Sequence, residues 1–86
     1  MKEQEKILKA LANKRRLAII KYLNKVKLAS VGDISNYINL SFKSTSRHLV
    51  ILSSADIVEK EQISLNVMYS LAKPINNILK SVISVL

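Results

Sequence analysis

Residues 41–52 read S-F-K-S-T-S-R-H-L-V-I-L, and no other stretch of the chain narrows its fold so far. A helix opened by Ser41 buries Phe42, Thr45, Leu49 and Leu52 on one side, at spacings of three, four and three. The same register turns Lys43, Ser44, Ser46 and Arg47 to the other side. Cations and hydroxyls then share about one helical turn, a set that bonds phosphates and base edges together. A merely solvated face more often carries Glu beside Lys. The segment is expected to form a helix at about 42–54 whose outer face fits the major groove of double-stranded DNA.

The preceding residues supply the partner helix. Ser30 is placed to cap a helix over 31–38 with Val31, Ile34, Tyr37 and Ile38 as its apolar positions. Asp33 stands at N3, which nearly completes a capping box. Asn39 follows where a left-handed residue ends a helix, a role that Gly fills more often and Asn next best. Leu40 and Ser41 lead straight into the next helix. Helix, short turn, helix is the arrangement that presents a second helix to DNA.

Three segments, in order, resemble one family, the second carrying its most specific match. L-A-N-K-R-R-L-A-I-I at 11–20 is similar to the L-A-D-P-T-R-L-R-I-L of ArsR/SmtB-type winged-helix regulators. S-V-G-D-I-S-N-Y-I-N-L-S-F-K-S-T-S-R-H-L at 30–49 is similar to their S-V-G-E-L-A-E-A-L-G-L-S-Q-S-T-V-S-R-H-L, most specifically in Ser46, Arg47, His48 and Leu49. Tyr69, Ser70 and Leu71 resemble the family's Y-R-L at the end of the wing. The resemblance spans residues 7–86. It implies a mainly α fold with a small β-hairpin wing, a winged helix-turn-helix of four helices, two strands and a fifth helix.

At 86 residues the chain is read as one domain, 1–86. Chains near this length bury only about 60% of their surface, so oligomerisation often completes the core. Hydrophobic residues make up 49%, too many for a disordered tail. No apolar run approaches the roughly 20 residues that span a bilayer, and no signal peptide is evident, so a cytoplasmic protein off the membrane is expected. Zero cysteines exclude a disulfide framework and thiolate metal sites. The net charge of +8 favours a polyanionic partner. Residues 1–27 carry nine Lys or Arg against two Glu, which is +7 of that total.

Element by element, helices are expected at 3–12 and from 14 to about 25, the second capped by Asn13, with Asn24 to Ala29 as a connector. Strands are expected at 57–62 and 65–71, with Ile63 and Ser64 near the turn. Pro74 suits a first helical position, so a last helix is expected from 75 to the end. Its Ile75, Ile78, Leu79, Val82, Ile83 and Leu86 form an apolar stripe. Paired with Ile7, Leu8 and Leu11 of the first helix, that stripe is expected to form an isologous homodimer interface, as the resemblance also implies. Two recognition helices about 34 Å apart would then read a pseudo-palindrome.

Departures from the family matter as much. Where relatives hold metal with cysteines beside the third helix, this chain has Ser30 and Gly32. Residues 75–86 contain no Asp, His or Glu, and the single histidine, His48, cannot build a zinc site. No cofactor or metal is expected. His48 itself is expected to be a half-buried helix residue bonded to a neighbour. Regulation is left to a small molecule in the dimer interface, a partner protein or abundance alone. The hairpin lacks the usual basic tip and glycine, carrying Glu59, Lys60, Glu61 and Gln62, so a short wing with a minor role through Lys60 or Asn66 is expected.

Catalytic constellations are absent: one glycine, no Cys, no paired His and scattered carboxylates. The expected function is a sequence-specific, homodimeric transcription regulator, a repressor that contacts DNA through Lys43, Ser44, Ser46 and Arg47. Ser30, Ser41 and Lys60 would hold phosphates. Two alternatives compete: an architectural coater that uses the lysine-rich first helices, and a protein-interaction module built on a winged-helix scaffold.

Overall fold

Side-chain caps decide where the helices begin. The computed structural model describes all residues from 1 to 86. It contains α1 (Lys2–Leu11), α2 (Lys14–Val26), β1 (Ala29–Ser30), α3 (Val31–Ile38), α4 (Phe42–Ser54), β2 (Val58–Ile63), β3 (Asn66–Leu71) and α5 (Asn77–Ile83). Asn13 Oδ1 accepts the Arg15 and Arg16 N–H groups, satisfying donors that the first turn of α2 cannot pair internally. Ser30 Oγ accepts the Asp33 N–H at 3.1 Å and the Asp33 carboxylate accepts the Ser30 N–H, closing the capping box of α3. Asn39 ends α3 at φ 55°, ψ 53°, the left-handed conformation expected of it. Ser41 Oγ accepts the Ser44 N–H at 3.1 Å and opens α4.

The sheet holds one strand more than expected. Its order is β1-β3-β2, all antiparallel. Ala29 and Ser30, read as connector and cap, pair with Tyr69 and Met68. Two residues carry no alternation for periodicity to detect, and their pairing is imposed by β3. The hairpin pairs Val58 with Leu71 at its base and Ile63 with Asn66 at its end, which moves the turn to Ser64 and Leu65. Ser64 takes φ 58°, a value that glycine adopts more readily at the first position of such a turn.

One core joins every layer. Ile19, Ile20, Leu23, Ile34, Leu49, Leu52, Ile57 and Leu79 are almost fully covered. Ile7 and Leu11 of α1 belong to the same cluster, as does Leu79 of α5. These three were expected at the surface of a dimer, and the chain covers them itself: helices two to four do not close the core alone, and α1 and α5 complete it. The last helix also starts later than expected. Asn76 Oδ1 accepts the Ile78 N–H at 2.8 Å and caps the helix two residues beyond Pro74, so Ile75 lies in the preceding link. Leu86 falls beyond the end of α5.

Two aromatic residues expected inside sit outside. Phe42 occupies the first position of α4, where the helix begins, and is 62% exposed. Tyr37 stacks on Tyr22 with centroids 4.4 Å apart, forming a surface pair at the core margin. Thr45, by contrast, is fully buried as expected, and its hydroxyl has no partner. An unpaired buried hydroxyl costs stability that an isosteric methyl does not. Thr45→Val is therefore expected to stabilise the fold by about 1 kcal/mol, raising Tm by about 4–8 °C for a domain of this size. Thermal unfolding followed by circular dichroism checks it; a lowered Tm would contradict an orphaned hydroxyl.

Candidate nucleic-acid interface

Burial of Thr45, Leu49 and Leu52 fixes the rotation of α4, and that rotation leaves Lys43 and Arg47 exposed one turn apart. Val50 stands on the same outer face and is exposed. Ser44 and Ser46 are half-buried, on the two flanks rather than the crest. The crest is thus two cations and an aliphatic side chain, bordered by hydroxyls. A guanidinium and an ammonium there can meet base edges or phosphates, and Val50 can only make apolar contact, as with a thymine methyl.

Ser30 and Ser41 sit at the starts of α3 and α4, and each oxygen already accepts a backbone N–H. Their hydroxyl protons are still available to donate, which is what a phosphate requires. Lys60 is exposed on the edge strand β2, opposite Tyr69. Ser30 lies on β1, on the far side of β3 from Lys60. Two strand spacings, about 10 Å, therefore separate them. Lys43 and Arg47 share one face of α4, whereas Ser30 and Lys60 stand on two strands of the sheet.

What anchors α4 was not anticipated. Arg16 donates from Nε to the Ala10 carbonyl, from Nη2 to the Lys9 carbonyl and from Nη1 to His48 Nδ1 at 3.3 Å. One side chain thereby ties the end of α1 and the start of α2 to the middle of α4. Arg15 donates to the Ile38 carbonyl at 2.7 Å and to the Asn39 carbonyl at 3.5 Å, closing the end of α3. Both arginines had been counted only as part of the basic excess. The signal was present in the Arg of the family's L-A-D-P-T-R-L, which Arg16 matches.

His48 is half-buried and bonded to a neighbour, as expected. An arginine can only donate, so Nδ1 must accept, and the ring is neutral with its proton on Nε2. Burial lowers the His48 pKa below its usual 6.5, and the positive charges of Arg16 and Arg15 lower it further. The unfolded chain then binds the proton more readily than the folded one. Stability from this contact is complete above about pH 6.5 and is lost as pH falls toward the lowered folded value. His48→Gln keeps an acceptor and does not titrate. The Tm of the native chain is expected to fall relative to this variant between pH 7.5 and pH 5; a difference independent of pH would contradict the neutral ring.

Beyond α4 the positive charge is carried by exposed lysines, among them Lys2, Lys6, Lys9, Lys14, Lys21, Lys25 and Lys27 on or beside α1 and α2. Of the nine residues expected at a dimer interface, Leu8, Ile75 and Leu86 are exposed and Ile78, Val82 and Ile83 are half-buried. No three His, Cys, Asp or Glu side chains come together as metal ligands. No helix is long and apolar enough to cross a membrane.

Comparisons with known proteins converge on this architecture. The family model described as "bacterial regulatory protein, arsR family" matches residues 13–60, from the cap of α2 to the first half of β2. Among solved structures, HlyU from Vibrio cholerae is 31% identical with a TM-score of 0.83, covering 96% of this chain and 86% of that one. The transcriptional regulator HlyU from Vibrio vulnificus is 30% identical with a TM-score of 0.79, covering 95% and 81%. The homodimeric winged helix-turn-helix DNA-binding domain of Mb0332 from Mycobacterium bovis, a possible ArsR-family regulator, is 25% identical with a TM-score of 0.86, covering 98% and 75%. No curated protein matches the chain.

Proposed function

From the premise that the chain belongs to the ArsR family of transcriptional regulators, with that family's DNA-binding winged helix-turn-helix, we propose that it is a homodimeric, sequence-specific repressor acting on DNA in the cytoplasm. The observation that carries this reading is the exposure of Lys43 and Arg47 together on the crest of α4. Ser44 and Ser46 border that crest, and Ser30, Ser41 and Lys60 supply phosphate contacts from its margins. Repression needs only occupancy of a promoter, which an 86-residue domain can provide without a further surface. The same composition, lacking cysteine and paired histidine, argues against catalysis and against thiol or metal sensing.

A second copy suits the surface left at the termini. Leu8, Ile78, Val82, Ile83 and Leu86 present apolar area that the subunit does not cover, whereas Ile7, Leu11 and Leu79 support it from beneath. Such a dimer would double the base contacts available to one small domain. The homodimeric state of the mycobacterial neighbour supports a dimer.

The exposed lysines of α1 and α2 favour a competing reading, a sequence-indifferent coater. Selection of bound sequences from random duplex, run with purified protein at low and high salt, separates the two. A two-fold-related motif that survives the higher salt is expected. Recovery of unenriched sequences, with binding lost steeply as salt rises, would favour coating.

A further inference from the structure

The outer face of the hairpin borders a cavity for which DNA recognition has no use. Strand pairing sets Glu59 beside Ser70, and Glu61 follows two residues along β2. All three therefore leave the sheet on the face opposite buried Val58 and Leu71. On the other side of β3, Lys27 and Leu28 lie between the end of α2 and β1. Lys73 and Ile75 belong to the link, 72–76, that joins β3 to α5. These segments together line a cavity of about 390 Å³, a size that suits a small ligand.

The charges around it are sorted by sign. Glu59 and Glu61 stand on β2, whereas Lys27 stands across β3 and Lys73 beyond its end. None of the four side chains makes a hydrogen bond within the chain. Lys27 is held at φ 74°, ψ −37°, a conformation that glycine takes freely and lysine takes at a cost. Strain of this kind gathers at ligand clamps. Leu28 and Ile75 are 39% and 38% exposed and give the cavity an apolar wall. Ile75 lies outside the apolar patch assigned above to a second copy.

A ligand of one sign would be repelled by one bank: a phosphate or dicarboxylate by the glutamates, a polyamine by the lysines. A zwitterion satisfies both banks, and the apolar wall calls for a hydrocarbon group on the same molecule. We propose that the cavity binds a free α-amino acid with an apolar side chain. Glu59 and Glu61 hold its ammonium, Lys27 and Lys73 its carboxylate, and Leu28 and Ile75 its side chain. The two wing glutamates, adverse beside phosphate, thereby acquire a partner.

The test titrates the whole isotope-labelled chain with L-leucine and follows the backbone amide resonances. Saturable shifts are expected at Leu28, Glu59 and Ser70. Leucinamide lacks the carboxylate, isocaproate lacks the ammonium and glycine lacks the side chain; each is expected to bind about 10-fold or more weakly than leucine. Glu59→Gln with Glu61→Gln, and separately Lys73→Gln, are expected to weaken leucine binding to a similar degree. All three positions are exposed, so Tm without ligand is expected to stay within about a degree of the native value. Absence of saturable shifts with leucine, methionine and phenylalanine would overturn the proposal. Equal shifts from leucinamide and isocaproate, or from sodium chloride at matched ionic strength, would overturn it too. The titration contains no DNA, so its failure leaves the regulator reading untouched.

Discussion

Replacing Arg47 by alanine is expected to cost more binding than any other single change on the surface of α4. A guanidinium that grips guanine O6 and N7 is worth about 1–3 kcal/mol. A two-fold dimer presents the contact twice, so the loss on a full site is about 2–6 kcal/mol, roughly 30- to 20,000-fold, until non-specific binding sets the floor. The exposure of Arg47 means that the fold is not disturbed. Discrimination between the selected site and one with its guanine pairs exchanged should collapse as well. Lys43→Ala is expected to behave differently if its ammonium meets phosphate: a similar weakening on every sequence, with the salt slope reduced by about 1 per subunit. Equilibrium titrations of matched and mutated duplexes at several salt concentrations distinguish these outcomes.

Arg16→Ala is expected to be the most destabilising of the changes considered. It strips a donor from the Lys9 and Ala10 carbonyls and from His48 Nδ1 in one step. Hydrogen bonds from charged donors are worth about 1.5–3 kcal/mol each, although a single side chain does not deliver them additively. A loss of about 2–4 kcal/mol follows, which lowers Tm by about 10 °C or more in a domain of this length. Arg16→Lys is expected to rescue little, since an ammonium cannot reproduce the planar fork that meets three acceptors. Thermal unfolding is the check. A Tm within about a degree of the native value would mean that the arginine is dispensable to the packing of α4.

The helix-turn-helix was readable because its determinants are local. Ser30 with Asp33, Asn39, and Ser41 each act on a backbone group within a few residues, so their spacing states the structure. The crest of α4 was readable for the same reason: the positions of Thr45, Leu49 and Leu52 fix its rotation. What escaped depends on distant partners. The pairing of Ala29 with Tyr69 spans the helix-turn-helix, and nothing near Ala29 announces it. Arg16 looks like any surface cation until α1 and α4 bring carbonyls and His48 around it. Heptad-like spacing marked Ile7, Leu11 and Leu79 as apolar without saying which body would cover them, and the chain's own core does. Phe42 shows the converse: its spacing fits the buried stripe, but at the first turn there is no neighbour to bury it.

Interference by guanine N7 methylation, performed on a duplex recovered by selection, asks whether the outer strip of α4 touches bases from two symmetry-related copies. Two blocks of interfering guanines are expected, one on each side of a dyad and about 10 base pairs apart, with both weakened together in Arg47→Ala. Interference confined to one block would contradict the two-fold dimer, and two blocks that persist unchanged in that variant would show that Arg47 does not read the groove.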